Sequence, residues 1–414
     1  MDAAMTLARV ARSCPRPHAE DELVRDLARA RVVCLGESTH GTHEFYVQRA
    51  RITRRLLVDH GFRALLLEAD LPDTWRVHRF ASGAASDREE LAALGDFQRF
   101  PRWMWRNAVM RGWVRWMARS ARSGAGTVGL WGMDLYGLHR LGEMVHRIAS
   151  AHDPVLAARV HAALAGLGPE DERVPRGPGA ARAARFLAEV VAEIPEGEGA
   201  LAARLAARGV RAAVDYGRVV FTRHTSGWNV RDLHMADVVG EVLASLGDGG
   251  RVVVWAHNSH VGDARPSAFG RMGELSLGQV LRQRLGADAV RLVGLLTRAG
   301  TVTAAHDWGG DPHPMTLRPA PAGGWEALLH TLGESQMWLD LRGLPVLAER
   351  EERAVGVIYV PRAERTAHLF ASRLPERYDH VIYTDRTRAL VPLDPWGAVA
   401  EEEPELPETW PFGL

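Results

Sequence analysis

The chain is predicted to fold as an α/β protein, a three-layer α/β/α arrangement with a mostly parallel central sheet and a large α-helical insertion over the active-site cleft. Three observations carry that prediction. Short apolar runs of buried-strand type recur along the 414 residues and are separated by helix-type segments, as parallel neighbours require. Several of these runs end in carboxylates or imidazoles, in the place where open parallel sheets present their ligand-binding crevice. Residues 138–246, rich in Ala, Leu and Arg, read as helices throughout, broken by Gly/Pro loops at 166–179 and 195–199.

In order, residues 18–30 place Leu23, Leu27 and Ala30 at helical spacing and lead into the run Val32 to Leu35. That run passes into Gly36-Glu37-Ser38-Thr39-His40-Gly41-Thr42-His43-Glu44 and then an amphipathic helix ending near His60. A second run, Ala64 to Asp70, is followed by a long helical region from Pro72 to about Ser123 that includes Trp103-Met104-Trp105-Arg106-Asn107. Strand signals return at Val128 to Asp134, Arg251 to His257 and Val290 to Leu296, with a helix near 276–285. Runs at Ala354 to Val360 and His380 to Thr384 complete a sheet of six to eight strands, and the Pro/Gly-rich stretch 309–324 reads as a long loop near the site. The chain thus divides into a core start (1–70), a helical segment (71–127), a core strand (128–137), the helical insertion or lid (138–246), the rest of the core (247–396) and an extended acidic tail (397–414).

Composition removes several classes of function. The 51 basic residues balance 51 acidic ones, so no overall field attracts nucleic acid or an anionic membrane. There is no lysine, which excludes the phosphate-binding lysines of P-loop and kinase sites and any Schiff-base nucleophile. Cys14 and Cys34 make neither a disulfide framework nor a zinc-type spacing. With no signal-type leader and no long apolar span, a cytoplasmic location is expected. The expected partner is a bulky apolar small molecule, with no nucleic acid and no membrane. Nothing in the pattern sets an oligomeric state.

Lined up by strand, the polar ends are Glu37 and His40, then Glu68, then Asp134, then His257 with Asn258 and His260. A core strand has no need of buried carboxylates, since an uncompensated buried charge costs several kcal/mol. Each one alone is explained by a helix cap or an arginine partner; their conjunction points to a site.

These residues, in the order Gly36-Glu37-Ser38-Thr39-His40-Gly41 with Glu44, Leu67-Glu68, Trp103-Met104-Trp105-Arg106-Asn107, Arg231-Asp232 with Met235-Ala236, and Trp255-Ala256-His257-Asn258-Ser259-His260, resemble the erythromycin esterase family of macrolide-lactone hydrolases. The resemblance covers roughly residues 31–300, with a fainter echo at Tyr383 to Thr387. It implies a metal-independent hydrolase, without cofactor, in which an imidazole activates water to open a cyclic ester. By position it places the general base on His40, paired carboxylates on Glu37 and Glu68, further imidazoles on His257 and His260, and the site arginine on Arg49. Glu44, Trp105, Arg106, Asn107, Asp134, Arg231 and Asn258 are the expected substrate contacts. After Arg231-Asp232 the segment Leu233-His234-Met235-Ala236-Asp237 departs from relatives, which tend to carry an amide or acid further on.

Ester hydrolysis needs a base for water, a group that orients the base, and donors for the oxyanion. His40 suits the first, Glu37 or Glu68 the second, and Arg49 or a protonated His257 or His260 the third. Replacing His40 or Glu68 by Ala is expected to abolish turnover with little change in thermal unfolding. Competing readings are a nucleophilic Ser38 or Ser259, although no GxSxG elbow occurs, and a metal held by His40, His43, Glu44, His257 and His260. Beyond hydrolysis stand a biosynthetic enzyme running acyl transfer, cyclisation or elimination on a polyketide-like molecule, and a binding protein using the same pocket.

Overall fold

The computed structural model describes residues 2–14, 19–124, 126–168, 178–222 and 227–394; the expected tail at 397–414 lies outside them. The strands are β1 (Ala11–Ser13), β2 (Val32–Leu35), β3 (Ala64–Asp70), β4 (Gly129–Asp134), β5 (Val252–Trp255), β6 (Val290–Ala304), β7 (His313–Leu317), β8 (Gln336–Asp340), β9 (Arg350–Arg353), β10 (Leu369–Ser372) and β11 (His380–Thr387). Nine of them form one sheet in the order β1-β8-β11-β6-β2-β5-β3-β4, with β7 beside β6. From β11 to β4 the pairing is parallel throughout. Among the described strands of this sheet only β8, β1 and β7 run against their neighbours; β9 and β10 pair antiparallel with each other apart from it.

Alternation along the short central strands explains the layering. Val32 and Cys34 of β2 belong to one apolar cluster and Val33 and Leu35 to another, because successive side chains leave a strand on opposite faces. The helices His43–Asp59 and Ala108–Arg122 cover the second face with Phe45, Ile52, Trp113 and Val114. Against the first face lie the five helices of the insertion, Leu138–Ser150, Pro154–Leu164, Pro178–Val190, Glu198–Thr222 and Gly227–Ser245. Their Leu141, Val160, Leu187, Leu205 and Val239 share one cluster with Val32, Leu66 and Val252. The insertion therefore packs along a face of the sheet. It reaches the carboxyl edge through the first turns of Gly227–Ser245 and through Tyr216, whose ring stands edge-on to Tyr136 at 5.6 Å.

Strand order fixes where the crevice opens. From β2 the chain crosses to β3 on the β5 side, whereas from β5 it crosses to β6 on the other side of β2. That reversal leaves a gap beyond the carboxyl end of β2. The turn that follows β2 is held in it by backbone hydrogen bonds: Ser38 N–H donates to Leu295 O at 3.0 Å, Thr303 N–H to Gly41 O at 2.9 Å and Val355 N–H to Ser38 O at 2.8 Å. Two glycines permit this approach. A Cβ at Gly36 would lie 2.0 Å from Asn258 Oδ1, and one at Gly41 would lie 1.8 Å from the Thr303 carbonyl.

Several expectations need correction. Pro72 to Ser123 is not one continuous helical region: the helices Leu71–Ser82 and Ala108–Arg122 are joined by an irregular connection that holds the one-turn helix Glu90–Ala93 and two 3-10 turns and carries Trp103 to Asn107. Ala354 to Val360 is no sheet strand; β9 ends at Arg353, and the segment makes isolated bridges to Thr39 and Ala305, bracing the β2 turn. Within 309–324 lies β7, which forms an antiparallel arm with the far half of the 15-residue β6. The sheet also exceeds the six to eight strands expected, because β1, β7 and β8 add its antiparallel members.

Candidate active site

The turn after β2 delivers Glu37 and His40 three residues apart, so one carboxylate oxygen meets the ring of the following imidazole. Glu37 Oε1 lies 3.0 Å from His40 Nδ1. A carboxylate accepts, so Nδ1 carries the proton and Nε2 is the basic nitrogen of the neutral ring. The other oxygen, Oε2, lies 2.8 Å from Arg49 Nη2. Arg49 comes from the helix His43–Asp59 and is fully buried, its guanidinium 4.5 Å from the Tyr46 ring centre and 4.9 Å from that of Trp255. Two aromatic faces and one carboxylate thus compensate a charge withdrawn from water.

The end of β5 supplies the second half. His257 is the N-cap of the short helix Asn258–Val261, its ring centre 4.7 Å from that of His40. Its Nδ1 lies 2.8 Å from Ser259 Oγ and 3.3 Å from Ser259 N, whose N–H donates to it. Nδ1 is therefore an acceptor and the ring proton sits on Nε2, with the Ser38 backbone beside the ring. Burial, reinforced by His40 beside it, holds His257 well below the usual imidazole range, so it is neutral.

Glu68, at the end of β3, gathers the rest. Its Oε2 accepts the His257 N–H at 2.7 Å, and its Oε1 accepts Arg231 Nη2 at 2.9 Å and faces His260 Nε2 at 3.3 Å. Arg231 also forks onto Asp134, Nε to Oδ1 at 3.0 Å and Nη2 to Oδ2 at 2.7 Å. His260 Nδ1 sits 2.9 and 2.8 Å from the two oxygens of Asp232. Burial works against every charge here. For Glu68 it is outweighed by His260 and Arg231, which hold the carboxyl well below its usual value; for Asp134 it is outweighed by Arg231. For His260 burial is outweighed by Asp232 and then Glu68, which push the imidazole up to about 9. His257 and His260, three residues apart, thus hold opposite protonation states at neutral pH.

A family model described as erythromycin esterase matches residues 57–387. The chain belongs to the erythromycin esterase family. Three solved structures share its fold at 18% identity. One is a succinoglycan biosynthesis protein, with TM-score 0.74, covering 94% of this chain and 97% of that one. Another is a protein from Bacillus cereus, with TM-score 0.77, 94% and 98%. The third is a mutant of the erythromycin esterase EreC in its open conformation, with TM-score 0.65, 93% and 96%.

In this family member the six residues expected to act chemically, Glu37, His40, Arg49, Glu68, His257 and His260, stand together, joined by Asp134 and Arg231. Beside them is a cavity of about 30 Å³, with Glu68, Asp134 and Arg231 on its polar side and Phe97, Phe100, Met104 and Trp105 on its apolar side. The other expected substrate contacts lie elsewhere. Both oxygens of Glu44 bind Arg388, at 2.8 Å each. Arg106 clamps Asp394 at 2.8 and 2.7 Å, and Asn107 caps the helix Ala108–Arg122 by accepting the Met110 N–H. Asn258 is turned away, its amide donating to Leu295 O at 3.1 Å. Arg49, expected as an oxyanion donor, lies against Glu37.

Asp232 and Trp228 were not foreseen as site residues. Trp228 stacks on His260 at 4.3 Å with the planes 10° apart. The dipeptide Arg231-Asp232 was the available signal: one helix turn carries opposite charges to Asp134 and to His260. Among the described residues no three His, Cys, Asp or Glu form a group that could hold a metal ion.

Proposed function

We propose that this member of the erythromycin esterase family hydrolyses a bulky ester or lactone by direct attack of water, macrolide inactivation being the named case. His40 Nε2 takes a proton from water as the oxygen attacks the ester carbonyl, and the His257 Nε2–H donates to the oxyanion of the tetrahedral intermediate. Collapse breaks the bond to the alkoxy oxygen, which receives the proton back from His40, giving an acid and an alcohol. Glu37, held by Arg49, fixes the His40 tautomer; Glu68, Arg231 and Asp134 set the charge along the polar wall. The insertion 138–246 contributes the wall bearing Arg231. The observation that carries this reading is the Arg49–Glu37–His40 chain ending beside the buried His257 ring, 4.7 Å away between ring centres. Incubation with a panel of lactones, a 14-membered macrolide among them, is expected to yield a product heavier by one water. Tight binding without any product would favour a sequestering protein; a product of unchanged mass would favour elimination or an intramolecular acyl shift, and one heavier by an acceptor other than water would favour acyl transfer.

One contact favours a covalent route, the Ser259 hydroxyl on His257 Nδ1 at 2.8 Å. Under direct attack by water, Ser259→Ala retains turnover and leaves no acyl-enzyme to trap.

A further inference from the structure

Asp232 is not among the residues that line the cavity, although Arg231 beside it is, and the mechanism above gives it no task. Its surroundings are nevertheless built around one ring. Both carboxylate oxygens lie within 2.9 Å of His260 Nδ1, and Oδ1 also accepts the Leu277 N–H at 2.7 Å, which ties it to the start of the helix Leu277–Leu285. Trp228, one helix turn before Asp232, covers a face of the same ring and is itself held by its indole N–H donating to Leu275 O at 2.7 Å. A ring pinned at one nitrogen and along one face holds its other nitrogen in a fixed direction, and here Nε2 faces Glu68 Oε1 at 3.3 Å with Arg231 Nη1 beside it at 3.2 Å.

We propose that Asp232 is a positioning residue that acts through His260, keeping the ring's Nε2–H on Glu68 so that Glu68 and Arg231 hold the polar wall of the site. The proposal rests on the hydrolase reading for its kinetic consequence. The groups facing His260 are Asp232 and Arg231 from the helix Gly227–Ser245, with Arg231 Nη1 at 3.2 Å from Nε2, Glu68 from β3, and His257 from its own turn; Asp134 stands behind Arg231. Among the described residues only Asp232 reaches Nδ1.

The test compares the native protein with Asp232→Asn and Asp232→Glu. Asn keeps an acceptor for the Leu277 N–H but cannot balance a charged ring. Titration of the His260 ring by nitrogen NMR, without substrate, is expected to show its midpoint lowered by one unit or more in the Asn variant and largely restored in the Glu variant. On a hydrolysed ester the Asn variant should lose about 10- to 100-fold in kcat, the scale of lost outer-shell support, with KM little changed and the alkaline limb of the rate profile moved toward neutral pH. An unmoved midpoint, or a loss in kcat with an unmoved limb, overturns the proposal. If Asp232→Asn fails to fold, Asp232→Glu and Trp228→Phe carry the same titration, each expected to shift the midpoint less than Asn would. Should no ester be hydrolysed, the hydrolase reading fails while the ring titration still decides what Asp232 holds.

Discussion

His40 and Glu37 share a hydrogen bond yet differ in what their loss should do. Removing the His40 ring leaves Glu37 still paired with Arg49, so His40→Ala costs turnover and little stability. Glu37→Ala strands a buried guanidinium, a change worth roughly 3–5 kcal/mol of stability in addition to the rate. Glu68 behaves like Glu37, contrary to the expectation from sequence: without it Arg231, His260 and the His257 N–H lose an acceptor, so Glu68→Ala should lower the unfolding midpoint as well as kcat. Denaturant unfolding of the three variants checks this; equal stability of all three would contradict the pairing. Stability should also depend on pH from both sides. His260, raised to about 9, contributes fully below the unfolded imidazole value near 6.5 and loses that contribution as pH rises through 9. His257 is depressed, so its contribution is lost as pH falls below about 6.5, and Glu68 and Asp134 add to the fall at lower pH. Unfolding free energy against pH should therefore peak near neutrality, and a curve still rising at pH 9 would contradict this balance.

Among the elements, β2 and its turn set the positions of all the others. The turn is buried, and its backbone groups are satisfied by β6 and by the segment 354–360. Gly41→Ala should displace it, because the new Cβ would meet the Thr303 carbonyl, whereas Gly61→Ala, on the exposed end of the following helix with open space around it, tests only the cost of a left-handed conformation. Activity and unfolding midpoint measured together should fall for the first; for the second activity should persist. The strand ends were readable in the sequence because buried parallel strands are continuous apolar runs, and Glu37, His40, Glu68, Asp134, His257 and His260 follow directly from where those runs stop. Glu44, Arg106 and Asn107 were misplaced for a physical reason: motif adjacency does not say which side of a turn faces the crevice, and their partners Arg388, Asp394 and Met110 include two that are hundreds of residues away in the chain. The three-residue β1 and the mixed run of β8 carry too little pattern to distinguish a strand from a loop. Arg49 lies nine residues beyond His40, and the helix His43–Asp59 brings it back to Glu37 at 2.8 Å.

At the scale of the molecule, the sheet orders six parallel strands so that residues scattered between positions 37 and 260 meet at one edge, and the helical insertion closes that edge from one face. The cavity of about 30 Å³ holds little more than a water, while pockets for drug-sized ligands run to ~300–1,000 Å³, so the proposed bulky ester requires its walls to part. The apolar wall from Phe97 to Trp105 lies on the irregular connection between the helices Leu71–Ser82 and Ala108–Arg122, whereas Glu68 and Asp134 of the polar wall lie on sheet strands. Hydrogen exchange along residues 94–107 should therefore change on binding a lactone while exchange in β2, β5 and β6 stays fixed; the reverse pattern would place the opening elsewhere. The measurement that bears most directly on the central claim is the turnover of His40→Ala on the ester the native protein cleaves best, read beside its unfolding midpoint. Loss of an oriented base should reduce kcat by about 10²- to 10⁴-fold with the midpoint nearly unchanged. Turnover equal to that of the native protein, or a fall in the midpoint large enough to account for the lost activity, would contradict His40 as the base.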